Sequence, residues 1–221
     1  MRPVQQSLVD PSLERPVGPV PRSIVRGNNS DLITSIAPLY LTGSVLDVTY
    51  GRGMWWNRFT PEPFAFHDLA IDGVDFTGLP ELDDSVDAVC FDPPYIASGG
   101  VATSAKAKAF RKDFGVTTRS QTDLWSLVER GTQEVARVAR YWVLIKCGDF
   151  VDGGGLTLGH VKVLGYADAV GLTLHDLIIH DPGRPGPGGH NIYEPKRARR
   201  AHSYLLVFRK APGSALLEDV Q

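Results

Sequence analysis

Asp92-Pro93-Pro94-Tyr95 closes the apolar run Val89-Cys90-Phe91, which is an unusual way to end a strand. The acid supplies one carboxylate acceptor. Pro93 and Pro94 keep their carbonyls but have no backbone N–H, and each ring fixes its φ, so the stretch accepts hydrogen bonds rigidly without donating them. Tyr95 adds a flat ring. Together these groups suit a planar substrate bearing an –NH2 group. The two amine hydrogens meet the Asp92 carboxylate and the Pro93 carbonyl while the ring stacks on Tyr95. Drawing on both hydrogens turns the nitrogen lone pair towards an electrophile, and no base has to deprotonate the amine first. The plainer alternative is a proline-terminated turn.

A second chemical stretch precedes it. "VLDVTYGRGMWW" places Gly51 and Gly53 just after a short apolar strand that carries Asp47. Glycines there let backbone approach a ligand closely, at the carboxyl end of a parallel sheet where such folds bind ligands. The spacing lacks the third glycine of a dinucleotide fingerprint and the Gly-Lys-Ser/Thr of a phosphate loop, so phosphate chemistry is disfavoured. Asp68, at the end of the next apparent strand, is placed to take both hydroxyls of a ribose. Asp75 in the following loop can accept from an adenine amine, with Phe76 as an apolar face. Asp68 as a turn cap, and Asp75 as a solvated loop acid, remain open alternatives.

The elements that must position these residues alternate between strand and helix. "NNSDLITSIAPLYL" reads as a short helix capped by Asn29, Ser30 or Asp31. Strands follow at "GSVLDV", "FAFHD" and "SVDAVCFD". Residues 121–140 carry apolar positions at helical spacing, followed by the strand "YWVLIKC" and a helical "LGHVKVLGYADAVGL". "TLHDLIIHD" and "HSYLLVFRK" read as the last two strands. The alternation predicts an α/β layered sheet, mostly parallel, with an antiparallel hairpin at one edge, because no helix joins the last two strands. Residues 1–27, rich in proline, are expected to be a loosely packed or disordered arm. Residues 28–210 form the domain, with basic loops over 97–120 and 181–202, and 211–221 form a tail.

Bulk properties bound the class. The chain has 221 residues, 43% hydrophobic and 22% charged, which suits one domain with a packed core. A net charge of −2 means that any nucleic-acid surface must be a local patch. Cys90 and Cys147 sit inside apolar runs and read as buried reduced thiols; no metal site is expected. Neither a membrane span nor a signal core is visible in the sequence, so a cytoplasmic protein is expected. The histidines show no spacing that argues a metal or a catalytic pair, and the four tryptophans read as core or cofactor-lid residues.

"DVTYGRG" at 47–53 resembles the S-adenosylmethionine loop of the amino-methylating DNA methyltransferases, and "DPPY" at 92–95 resembles their catalytic motif. The glycine loop comes first and no large insertion separates the two, as in the gamma arrangement of that family. "HSYLLVFRK", after "KRARRA", resembles the closing strand of these enzymes and of related phage-type methylases. The likeness covers roughly residues 28–210. It implies a Rossmann-like class I methyltransferase fold with a seven-stranded sheet and S-adenosyl-L-methionine as cofactor. Asp47, Thr49, Tyr50, Gly51 and Gly53 would line its methionine end, Asp68 its ribose, and Asp75 and Phe76 its adenine. Where the family loop usually carries Phe, this chain has Thr49, with Tyr50 as the neighbouring ring. Asp92 and the Pro93 carbonyl, with Pro94, would orient the target amine, and Tyr95 would stack on a base flipped out of the duplex.

The partner implied is DNA, expected to be double-stranded. Lys106, Lys108, Arg111 and Lys112 follow a mobile-looking Gly99-Gly100, and Lys196, Arg197, Arg199 and Arg200 form a denser cluster. Both suit phosphate contacts, with a solvated face as the alternative. An acid opening the tetrapeptide resembles adenine-N6 members more than cytosine-N4 members, which tend to open it with serine. The expected activity is therefore adenine-N6 methylation of DNA by a monomer or homodimer. The alternatives are cytosine-N4 methylation, methylation of an RNA base amine, and a catalytically silent cofactor-binding subunit.

Overall fold

The computed structural model describes residues 20–94, 121–152, 155–183, 198 and 200–211. Tyr95, Lys106, Lys108, Arg111, Lys112, Lys196, Arg197 and Arg199 lie outside the described residues. The strands are β1 (Ile24–Arg26), β2 (Val45–Asp47), β3 (Phe64–Phe66), β4 (Val86–Phe91), β5 (Ala139–Cys147), β6 (Phe150–Asp152), β7 (Gly155–Thr157), β8 (Leu172–Asp181) and β9 (Ser203–Lys210). The helices are α1 (Asn29–Tyr40), α2 (Gln121–Val138) and α3 (Gly159–Ala169).

Seven strands form one sheet in the order β1-β8-β9-β5-β4-β2-β3, and β6 pairs with β7 in a separate antiparallel hairpin. β9 alone runs against its neighbours β5 and β8; the other pairings are parallel. This is the Rossmann-like, mostly parallel α/β sheet expected, with the β8–β9 hairpin towards one edge. Two details differ from the sequence reading. Part of the expected N-terminal arm, Ile24–Arg26, pairs in parallel with β8 beyond that hairpin. Backbone pairing of an edge strand needs no apolar period, and Ile24 is exposed, so the pattern gave no sign of it. The β6–β7 hairpin was also unexpected, since its strands are only three residues long.

α1 is capped by Asn28, one residue before the caps considered. Asn28 Oδ1 accepts the Asp31 N–H at 3.0 Å, and Asp31 Oδ2 accepts the Asn28 N–H at 2.8 Å. Asp31 is therefore the returning acid of a capping box rather than the cap itself.

The pleat sorts the core into two layers. Ala88 and Cys90 of β4, Trp142 and Leu144 of β5, and Val45 of β2 pack with Leu32, Ile33 and Ile36 of α1. Val89 and Phe91, Val143 and Ile145, and Leu46 pack instead with Val128 and Val135 of α2 and Val163 of α3. Each central strand is thus buried on both faces, as parallel strands covered by helices must be. Alternation also fixes the side for residues at the strand ends. Asp47, Asp92 and Lys146 continue the Val45, Cys90 and Leu144 series, so all three belong to the α1 side of the sheet. Among the described residues, no helix is long and apolar enough to cross a membrane.

Candidate functional site

From β2 the chain turns to β3 on one side and then crosses to β4 on the other. The order reverses at β2, and in open α/β sheets ligands bind beyond the carboxyl ends of the strands at such a point. Asp47 ends β2, Asp68 follows β3 by two residues, and Asp92 directly follows β4. The fold thus brings three of the sequence-selected acids to one edge.

The loop between them is tightly tied. Gly51 and Gly53 adopt φ of 56° and 65°, the left-handed region that L side chains rarely occupy. The Gly51 N–H donates to Asp68 Oδ2 at 2.8 Å, while Asp68 Oδ1 accepts from the Ala70 N–H at 2.8 Å. A Cβ on Gly53 would lie 2.6 Å from the Tyr50 hydroxyl oxygen, so the glycine makes room for that ring. Tyr50 stacks on Phe66 with centroids 4.0 Å apart. Thr49 is not a spare position: its Oγ1 accepts the Asp92 N–H at 2.7 Å and lies 3.5 Å from Asp47 Oδ1. It therefore links the ends of β2 and β4.

Asp47 is buried and doubly engaged. Its Oδ1 accepts the Thr49 N–H at 2.8 Å and its Oδ2 the Trp56 indole N–H at 2.7 Å. Burial pushes its carboxyl up to about 7, Asp92's charge adds to the rise, and the two donors oppose it.

Asp92 remains more open. Its Oδ2 accepts from the Trp55 indole N–H at 3.2 Å and from Lys146 Nζ at 3.2 Å, with Lys146 3.4 Å from Oδ1. Pro93 is buried and Pro94 half-buried. Lys146 was missed by the sequence reading, although a signal existed: it is the one charge inside "YWVLIKC". A lysine buried in a strand needs a partner. Trp55 and Trp56, read as core or lid, are buried and also orient the two acids.

The adenine side is less open than expected. The exposed Asp75 closes its own turn, its Oδ1 accepting the Thr77 N–H at 2.9 Å and the Thr77 hydroxyl at 2.8 Å. The half-buried Phe76 packs on Phe91 at 5.0 Å, and a Cβ on Gly131 of α2 would reach within 2.7 Å of its ring. Asp72, by contrast, holds the Asp68 N–H at 3.0 Å and faces His67 Nδ1 at 2.7 Å.

Further along the same edge, buried Asp149 Oδ1 lies 2.7 Å from His160 Nδ1 and its Oδ2 accepts from the Tyr204 hydroxyl at 3.3 Å. His202 Nε2 lies 3.0 Å from that hydroxyl. No spacing along the chain marks this cluster, and Tyr204 joins it because β5 and β9 pair Cys147 with Tyr204. Arg200, the described member of the basic clusters, is half-buried and donates from Nη2 to the Ala198 carbonyl at 3.2 Å. Cys90 and Cys147 are buried free thiols, as expected, and burial raises both.

Neither a protein-family model nor a curated protein sequence matches the chain. Solved structures do. TTHA0409 of Thermus thermophilus, a proposed DNA modification methylase crystallised with S-adenosyl-L-methionine, is 18% identical over 78% of this chain and 57% of its own, with a TM-score of 0.39. This chain therefore spans a little over half the length of that protein. The magnesium protoporphyrin IX methyltransferase of Synechocystis PCC 6803, with S-adenosylmethionine bound, is 8% identical over 82% of this chain and 79% of its own (TM-score 0.45). The cyclase SpnF is 13% identical over 83% and 81%, with a TM-score of 0.48.

Proposed function

We propose that the chain is an S-adenosylmethionine-dependent methyltransferase acting on an exocyclic base amine, with adenine N6 in double-stranded DNA as its target. The observation that carries the reading is the linkage of the glycine loop to both acids. Gly51 bonds Asp68 while Thr49 bonds Asp92, so a cofactor-binding loop and an amine-accepting carboxylate share one edge.

The donor set fits the cofactor. Asp47 and Asp68 flank a loop without a phosphate-binding signature, which favours a cationic sulfonium and a ribose over a pyrophosphate. S-adenosylmethionine supplies an electrophilic methyl group on that sulfonium. Asp68 takes the ribose hydroxyls through lone pairs left beside its two backbone bonds. Tyr50, stacked on Phe66, offers an aromatic wall to the loop. Asp92 and the Pro93 carbonyl accept the two amine hydrogens, directing the nitrogen lone pair outward. One N–H proton leaves to water after transfer. The choice of adenine and of DNA rests on the acid that opens Asp92-Pro93-Pro94-Tyr95, and on the basic segments around 106–112 and 196–200.

Incubating the protein with methyl-labelled cofactor and, separately, duplex DNA, single-stranded DNA and RNA tests the reading. Label on adenine N6 of duplex DNA is expected. Asp92→Ala should abolish transfer while cofactor binding stays within about threefold, because it removes an acceptor for the amine and no group on the cofactor. Label confined to RNA would overturn the assignment to DNA. Cofactor binding without transfer to any substrate would instead point to a silent subunit.

A further inference from the structure

We infer that Lys146 is a positioning residue for Asp92, holding the carboxylate so that one oxygen stays turned towards the substrate amine. The inference rests on the proposed role of Asp92 as amine acceptor and adds a residue on another strand to that site. Two donors converge on Oδ2 of Asp92: the Trp55 indole N–H at 3.2 Å and Lys146 Nζ at 3.2 Å. Oδ1 accepts from the same ammonium at 3.4 Å and has no second donor among the described residues, so the two oxygens are unequally engaged. Thr49 fixes the backbone beneath. A carboxylate held on one side in this way cannot rotate freely, and its remaining lone pairs are aimed before any substrate arrives.

Burial supports function over stability. The Lys146 side chain is 9% exposed and that of Asp92 25%. Taking an ammonium this far out of water costs several kcal/mol, and a matched apolar pair in its place is commonly as stable or more so. The ion pair also lies beside a second acid: Asp47 and Asp92 repel each other at the same edge. Without Lys146, two neighbouring carboxylates lose their compensating charge, and Asp92 loses the partner that sets its orientation.

Two measurements on the full chain test this. The first compares single-turnover methyl transfer and cofactor affinity in wild type, Lys146→Met and Lys146→Arg. Lys146→Met is expected to slow transfer about 100-fold, the scale of a misplaced reacting group, with cofactor affinity within about threefold, and Lys146→Arg to recover part of the rate. The second follows the indole N–H resonances by nuclear magnetic resonance, with Trp55 assigned by Trp55→Phe. In Lys146→Met the Trp55 resonance should move and that of Trp56, which is bonded to Asp47, should stay. Full-rate transfer by Lys146→Met overturns the inference. So does a Trp55 resonance that does not move, or a loss of cofactor affinity as large as the loss of rate. If Lys146→Met does not fold, Lys146→Ala, which also removes the donor, is read in the same way. A wild-type protein that methylates no nucleic acid defeats the reading of the function, whereas the Trp55 resonance still decides whether Lys146 holds Asp92.

Discussion

Gly53 shows how a single residue can govern the loop. Its φ of 65° and the Tyr50 hydroxyl 2.6 Å from its missing Cβ both exclude a side chain. Gly53→Ala is expected to cost about 1–2 kcal/mol of unfolding free energy from the left-handed backbone alone. It should also push Tyr50 off Phe66 and weaken cofactor binding. Urea unfolding and cofactor titration measure the two effects separately. An unchanged affinity would remove Tyr50 from the cofactor wall. Asp47 is the contrasting residue. It is buried, with its two oxygens bonded to Thr49 and Trp56, so it shapes the loop from within.

At the scale of the element, the segment after β3 is held by His67. Its Nδ1 faces Asp72 and its Nε2 faces Glu81, each at 2.7 Å. Burial pulls the imidazolium down, but bonds and charges from the two carboxylates outweigh it, so His67 lies above its ordinary value. Asp72 is in turn held down to about 2, first of all by His67. The folded chain therefore keeps the His67 proton where the unfolded chain releases it. The stability this supplies is complete below about pH 6.5, the unfolded value, and is lost as pH rises through the raised folded value. His67→Gln should flatten that part of a plot of unfolding midpoint against pH. Because Asp72 also holds the Asp68 N–H, cofactor affinity should weaken over the same range in wild type and not in His67→Gln. A wild-type profile that is already flat would mean that the two carboxylates do not share a charged ring.

On the scale of the whole molecule, a chain with net charge −2 needs its cations gathered where a polyanion would lie. Neutralising Lys196, Arg197, Arg199 and Arg200 is expected to weaken DNA binding and flatten its dependence on salt. The slope of log affinity against log salt should fall by about 0.9 for each phosphate that the chain no longer neutralises. A slope equal to that of wild type would take this segment out of the interface.

What was legible without coordinates was local in nature. Apolar alternation and helical spacing were enough to place β4, β5, α2 and the mostly parallel sheet. Glycines after a strand and an acid before two prolines marked the two stretches of the candidate site, because turn chemistry is written in neighbouring residues. Partnership across strands was not legible. Lys146 meets Asp92 only because β4 and β5 pair in the register Phe91 with Ile145. Tyr204 meets Asp149 only because β9 returns against β5, pairing with Cys147. The sequence by itself determined which residues stand out as candidates for chemistry near the strand ends. Only the tertiary structure decided which charges face one another, since strand register and strand order set that distance and neither is written in the spacing of residues along the chain.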